Sequence, residues 1–141
     1  YVFTFAGTAI SWKSKRQATV ALSSCEAEYI AESEAAKEAI WLQRLLCQLR
    51  VGHSQSSTPE PVSILGDNRG ALALAKNPMY HARTKHVDIR YHFVREKVEE
   101  GLVKMEWIAG GMNPADGLTK PLGKTKFESF RRMVGLRRID D

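Results

Sequence analysis

The chain opens on a run of aromatic and β-branched residues, Tyr1-Val2-Phe3-Thr4-Phe5, which breaks at Gly7 and resumes over Thr8 to Trp12. Two such runs about a glycine predict a β-hairpin, and Ala18 to Leu22 reads as a further short extended piece. At Ser23 the period changes. Ser23-Ser24-Cys25-Glu26 has the spacing of a capping box. Ala31, Ala35, Ala39, Leu42, Leu45, Leu46 and Leu49 then recur at helical intervals, predicting one long helix to Arg50. Residues 52–61 are polar, carry two prolines and read as a loop. Val62 to Leu65 is a short apolar run of the kind a buried strand shows. Asn68 to Lys76 is Ala- and Leu-rich and helical, stopped by Asn77-Pro78. Val87, Tyr91, Val94 and Val98 mark one face of another helix, closed by Gly101. From Leu102 to Ile108 the pattern alternates, with Val103, Met105 and Trp107 on one side and Lys104 and Glu106 on the other, as in a strand. A last helical region begins at Ala115, is interrupted at Pro121, and resumes from Thr125 to Val134 before Gly135.

This order, hairpin, helix, strand, two helices, strand, helix, predicts an α/β fold. The Val62 and Leu102 strands are expected to run parallel with a right-handed crossover. The hairpin is expected to supply an antiparallel edge to one mixed sheet with helices on its faces. Trp12, Trp41 and Trp107 are expected in the core.

Length and charge refine the picture. The 141 residues suffice for one domain with a sizeable core. No apolar run approaches the ~20 residues of a membrane helix, so no membrane partner is expected. Tyr1 to Phe5 lacks a basic leader, and the missing initiator Met suggests a piece of something longer. Cys25 and Cys47 stand alone, without a second cysteine or histidine at zinc spacing, which suits a reducing intracellular setting. The formal charge of +5, from 21 basic and 16 acidic residues, suits a polyanionic partner. The basic residues cluster at Lys13-Lys15-Arg16, at Arg83-Lys85-Arg90, and from Lys120 to Arg138.

Three carboxylates stand where α/β proteins place functional acids. Glu28 lies in the first turns of the long helix, Asp67 directly after the Val62 strand, and Asp116 at the opening of the last helical region. Ligands of such sheets bind beyond the carboxyl ends of the strands, and convergent carboxylates form an oxygen-rich site for hard divalent cations. An Asp after a strand is also a common helix cap, so the case rests on the three together. His81, His86 and His92 lack the spacing of a zinc helix, and no Ser or Cys nucleophile has a paired base.

The words around the three acids carry more. The stretches ALSSCEAEYIA, WLQRLL, DNRGALALAKNP, HARTKHVDIRYHFVRE and NPADGLTKPL resemble the ribonuclease H domain that ends copia-type retrotransposon polyproteins, over residues 1–136, with 137–141 as a charged tail. The resemblance implies a ribonuclease H-like three-layer fold, a five-stranded mixed sheet flanked by helices. It implies two Mg²⁺ ions, with Mn²⁺ as an alternative, and hydrolysis of the RNA strand of an RNA–DNA hybrid behind a reverse transcriptase domain. By position Glu28, Asp67 and Asp116 match the family's Glu, second Asp and last Asp. Glu28-Tyr29-Ile30-Ala31 fits the family's Glu-x-x-Ala, which leaves Glu26 for the capping box. Substrate contacts implied by the resemblance fall on Ser24, Asn68 and Arg69, near the 2′-hydroxyls that distinguish RNA. His86 and Asp88 are further candidates for substrate contact, with a helix-start role the stronger reading of Asp88, and Arg83 and Lys85 are candidates for phosphate contact. Two departures stand out. The family's first Asp belongs to a central strand upstream of the Tyr-Val-Phe hairpin, so the domain reads as N-terminally truncated. The loop Ala109 to Pro114 also lacks the histidine that many members carry. These departures sustain a rival expectation, a degenerate module that binds nucleic acid or protein without cutting.

Overall fold

The computed structural model describes residues 1–18, 20–49, 51, 60–76 and 85–137. Arg83 lies outside them. The chain forms two compact units, one of Tyr1–Val20 with Ala109–Asp141, the other of Ala21–Ile108.

The Ala21–Ile108 unit is built on helix α1 (Ser24–Gln48). Ser23 caps it: its hydroxyl accepts from the Glu26 N–H at 3.1 Å. The Glu26 carboxylate reaches back to the Leu22 N–H at 2.7 Å, one residue beyond the partner a standard capping box supplies. Strands β3 (Val62–Gly66) and β4 (Val103–Trp107) pair in parallel, with Val62 opposite Val103 and Gly66 opposite Trp107. Helices α2 (Arg69–Lys76) and α3 (Lys85–Glu99) form the connection between them. Alternation places Ile64, Val103 and Met105 on the buried face of this pair, against α1 and α2. The long helix meets them with Tyr29, Ile30, Ala36, Ala39 and Ile40, and α3 adds Val94. Small residues on α1 allow close approach. At its N-terminal end the Tyr29 ring stacks on Tyr91 of α3 with centroids 4.0 Å apart. Farther along, Arg90 donates to Ser33 and Glu34.

The other unit holds the hairpin β1 (Val2–Phe5) and β2 (Thr8–Trp12). Its two turn residues, Ala6 and Gly7, both have positive φ, 49° and 80°. That is the sign pattern of a type I′ turn, whose twist matches paired strands. The register slips between Phe3 and Thr4, which makes a bulge. Two short 3₁₀ helices (Gly110–Met112 and Pro114–Leu118) lead to α4 (Lys124–Met133). Gly135, at φ +78°, ends α4 and abuts the hairpin turn: a Cβ there would lie 2.5 Å from the Gly7 carbonyl. The Ala9 N–H donates to the Val134 carbonyl beside it.

The element order and the parallel pair are as expected, and the fold is mixed α/β. Four expectations change. The hairpin is not an edge of a single mixed sheet: among the described residues it pairs only with itself, and β3 only with β4. Alternation states which face of a strand is buried but not which strand its edge meets. The extended piece at Ala18 to Leu22 forms no strand among its described residues. Trp12, Trp41 and Trp107 are 62%, 56% and 50% exposed rather than core, because each lies at a strand end or on the outer side of a helix. Ala31 and Leu49 face solvent, while Tyr29, Ile30 and Ala36 take the inward positions.

Candidate functional site

The carboxyl end of the β3–β4 pair is where side chains with chemistry gather. Gly66 ends β3 and its carbonyl accepts from the Ile108 N–H. The chain then turns through Asp67 into α2. Asn68 starts that helix: its side-chain oxygen accepts from the N–H groups of Gly70 at 2.9 Å and Ala71 at 3.1 Å. Its orientation is thereby committed to capping. Asp67, free of that duty, is half-buried at the edge.

Across from Gly66 lies a carboxyl that the sequence reading passed over. Glu32 of α1 is 6% exposed, and its Oε2 is buried without a hydrogen-bond partner. A Cβ added to Gly66 would come within 2.6 Å of Glu32 Oε1, so a larger residue there would make the end of the Glu32 side chain shift. Burial, and then the negative charges of Glu28 and Asp67, push its carboxyl up to about 8. Those two acids therefore stand near a common point although 39 residues separate them in the chain. Glu28, one turn before Glu32, is exposed. The same neighbourhood affects Cys25, whose thiol is raised by burial and by the charge of Glu32.

Glu32 was legible in one respect. It lies four residues after Glu28, on the same helix face, and in phase with buried Tyr29, Ala36 and Ala39. A glutamate in an inward stripe is a signal in itself, since an ionised carboxylate is rarely buried without a partner.

Trp107 also belongs to this edge. It stands opposite Gly66 in the strand register, and the Arg69 guanidinium lies 4.9 Å from its ring centroid, a cation–π geometry. Of the other residues singled out, Ser24 is the first residue of α1 and is exposed, while the capping is done by Ser23. Lys85 and His86 are the first two residues of α3.

Asp116 belongs to the other unit. It lies not at the start of an α-helix but in the 3₁₀ helix Pro114–Leu118, which Asn113 caps through the Ala115 N–H. A helix of five residues has little dipole to offer. Lys120 Nζ lies 3.9 Å from the Asp116 carboxylate.

Glu28 and Asp67 offer only oxygen, the donor type hard cations take, and Mg²⁺ is commonly held by one or two protein carboxylates. The orphaned Glu32 oxygen beside them fits a site that gathers positive charge. Among the described residues no three His, Cys, Asp or Glu side chains are grouped to hold a metal ion, so the fit extends to the pair and not to a complete cage.

Glu28 and Asp67 thus lie about the buried Glu32, with Asp67 at the carboxyl end of the parallel pair, in a mixed α/β chain. The relatives are more particular. The chain is 48% identical over 136 residues, 96% of its length, to the retrovirus-related Pol polyprotein from transposon TNT 1-94 of Nicotiana tabacum. It is 38% identical over 130 residues, 92% of its length, to those from transposons RE1 and RE2 of Arabidopsis thaliana. These three homologues, which match nearly the whole chain, are retrovirus-related Pol polyproteins of transposons. The chain spans about a tenth of their length: 10%, 8% and 9% in turn. No protein-family model matches it. No solved structure matches it. No helix among the described residues is long and apolar enough to cross a membrane.

Proposed function

We propose that this chain is the ribonuclease H-type domain of a copia-type retrotransposon Pol polyprotein, with a ribonuclease H-like fold, acting inside the cell. It hydrolyses the RNA strand of RNA–DNA hybrids made by a reverse transcriptase domain of the same polyprotein. The observation that carries the reading is the placement of Glu28 and Asp67 about Glu32, at the carboxyl end of β3, in a segment whose homologues are Pol polyproteins. Asp116, from the motif NPADGLTKPL, is the third acid of the proposal.

In this reading Glu28 and Asp67 would hold Mg²⁺, with Mn²⁺ as a substitute, and Asp116 is the third ligand that the family resemblance implies. Bound Mg²⁺ supplies an activated water and charge for the leaving oxygen. The chain's own residues do the rest. Asn68 fixes the turn that presents Asp67. Gly66 keeps the strand end narrow enough for Glu32 to lie behind the two ligands. Arg69 offers a cation to the phosphate backbone, and Ser24 stands within a turn of Glu28 to meet a ribose hydroxyl.

The test is cleavage of a hybrid labelled on each strand, by the chain carried in its natural polyprotein, in Mg²⁺. Cutting of the RNA strand alone, with duplex DNA left intact, is expected. Binding of the hybrid without cutting by the wild-type protein would instead establish the non-catalytic module.

A further inference from the structure

A second feature lies wholly in the unit that holds Asp116. That unit carries ten basic residues against four acidic, a formal +6, while the Ala21–Ile108 unit carries eleven against twelve, a formal −1. The chain's positive charge is therefore concentrated in the unit that holds Asp116. There, between the two 3₁₀ helices and α4, a pocket of about 320 Å³ opens, at the lower end of the size range of small-molecule sites. Its lining is mostly apolar, from Leu122, Phe130 and Met133, and its charged members are Lys120, Lys126 and Asp116, two cations to one anion. Gly117 makes it: a Cβ there would collide with the Phe130 ring, so the 3₁₀ helix lies directly on that ring. The contact of Lys120 with Asp116 is long, at 3.9 Å, and both groups are well exposed, which leaves the ammonium available to a stronger anion.

Two ammonium groups beside an apolar pocket complement a molecule with a phosphate at one end and a flat or weakly polar body at the other. We propose that this pocket is a mononucleotide subsite, in which Lys120 and Lys126 take a phosphate and the Leu122, Phe130 and Met133 side chains take the attached sugar and base. The inference rests on the nucleic-acid reading above and deepens it: the subsite holds one nucleotide of the strand beside Asp116. An inorganic anion site would need only the lysines, and a purely apolar peptide groove would not need them.

The experiment titrates the 141-residue chain, in chelator, with adenosine 5′-monophosphate, adenosine and inorganic phosphate, read by amide chemical shifts. The monophosphate is expected to bind at least about tenfold tighter than either part, with shifts at Gly117, Lys126 and Ser129. Lys120→Ala with Lys126→Ala should weaken it by about tenfold or more, while Lys15→Ala with Arg16→Ala, exposed cations of the same unit outside the pocket, should not. On uncut hybrid the Lys120/Lys126 pair should also lower the slope of log affinity against log salt by about 0.7–0.9, the value of one phosphate. Monophosphate binding no tighter than phosphate alone, or equal losses from the two double variants, overturns the subsite. Hybrid cleavage that survives such a result leaves the ribonuclease reading standing, so the two fail separately.

Discussion

Glu32 is the residue in which structure and chemistry meet most tightly. Its carboxyl sits near 8 when folded and in the ordinary carboxylate range when unfolded. The folded state therefore holds the extra proton. The stabilisation this gives is complete below the unfolded value of ~4.5 and is lost as pH rises towards 8. In chelator, the unfolding free energy of the wild type should fall across that window by an amount on the order of a few kcal/mol. Glu32→Gln, which keeps the shape and removes the charge, should flatten the fall and be the more stable protein at pH 8; denaturant titrations at four pH values read both. A wild-type curve without this slope would show that Glu32 is paired or solvated. Gly66→Ala probes the same packing from the strand side: its methyl meets Glu32 Oε1, the end of a side chain that can shift, so a loss of about 1 kcal/mol or less is expected. The sequence shows Glu28 and Asp67 through their surrounding words. Glu32 was hidden because a charged residue on a long helix is ordinarily counted to the solvent face, and nothing local reports that Gly66 makes room for it.

At the scale of elements, the boundaries were legible where side chains close local hydrogen bonds. Ser23 and Glu26 start α1, Asn68 starts α2, and Gly135 ends α4 with a positive φ. What no local signal could supply was strand partnership, and the hairpin pairs with itself. Asn68→Ala removes the oxygen that takes two α2 N–H groups; a loss of about 1 kcal/mol in stability is expected. Activity should fall with it, since Asp67 hangs from the same turn. The hairpin turn offers the opposite sign. Ala6 is held at φ 49°, where a Cβ costs roughly 1 kcal/mol. Ala6→Gly or Ala6→Asn should stabilise the protein by a few tenths to about 1 kcal/mol, seen as a higher denaturation midpoint at unchanged slope. Destabilisation by both would mean that the turn is not type I′.

On the scale of the whole molecule, charge and chemistry are divided. The acid neighbourhood of Glu28, Glu32 and Asp67 lies in a unit near neutrality, and the basic residues with the pocket lie in the unit that carries Asp116. The run of +5 was visible in the sequence, but its segregation was not, because the basic unit is assembled from both ends of the chain. The central claim is that Asp67 is a functional acid rather than a helix-start residue. Its most direct test is hydrolysis of the RNA strand of a hybrid in Mg²⁺ by the natural polyprotein carrying Asp67→Asn, beside Glu26→Gln, which alters a cap on the same helix as Glu28. The account predicts that Asp67→Asn loses activity by a hundredfold or more, on the order of ~3 kcal/mol in the barrier, while it stays folded and still binds hybrid, and that Glu26→Gln cuts at close to the wild-type rate. Wild-type cleavage by a folded Asp67→Asn protein would contradict it.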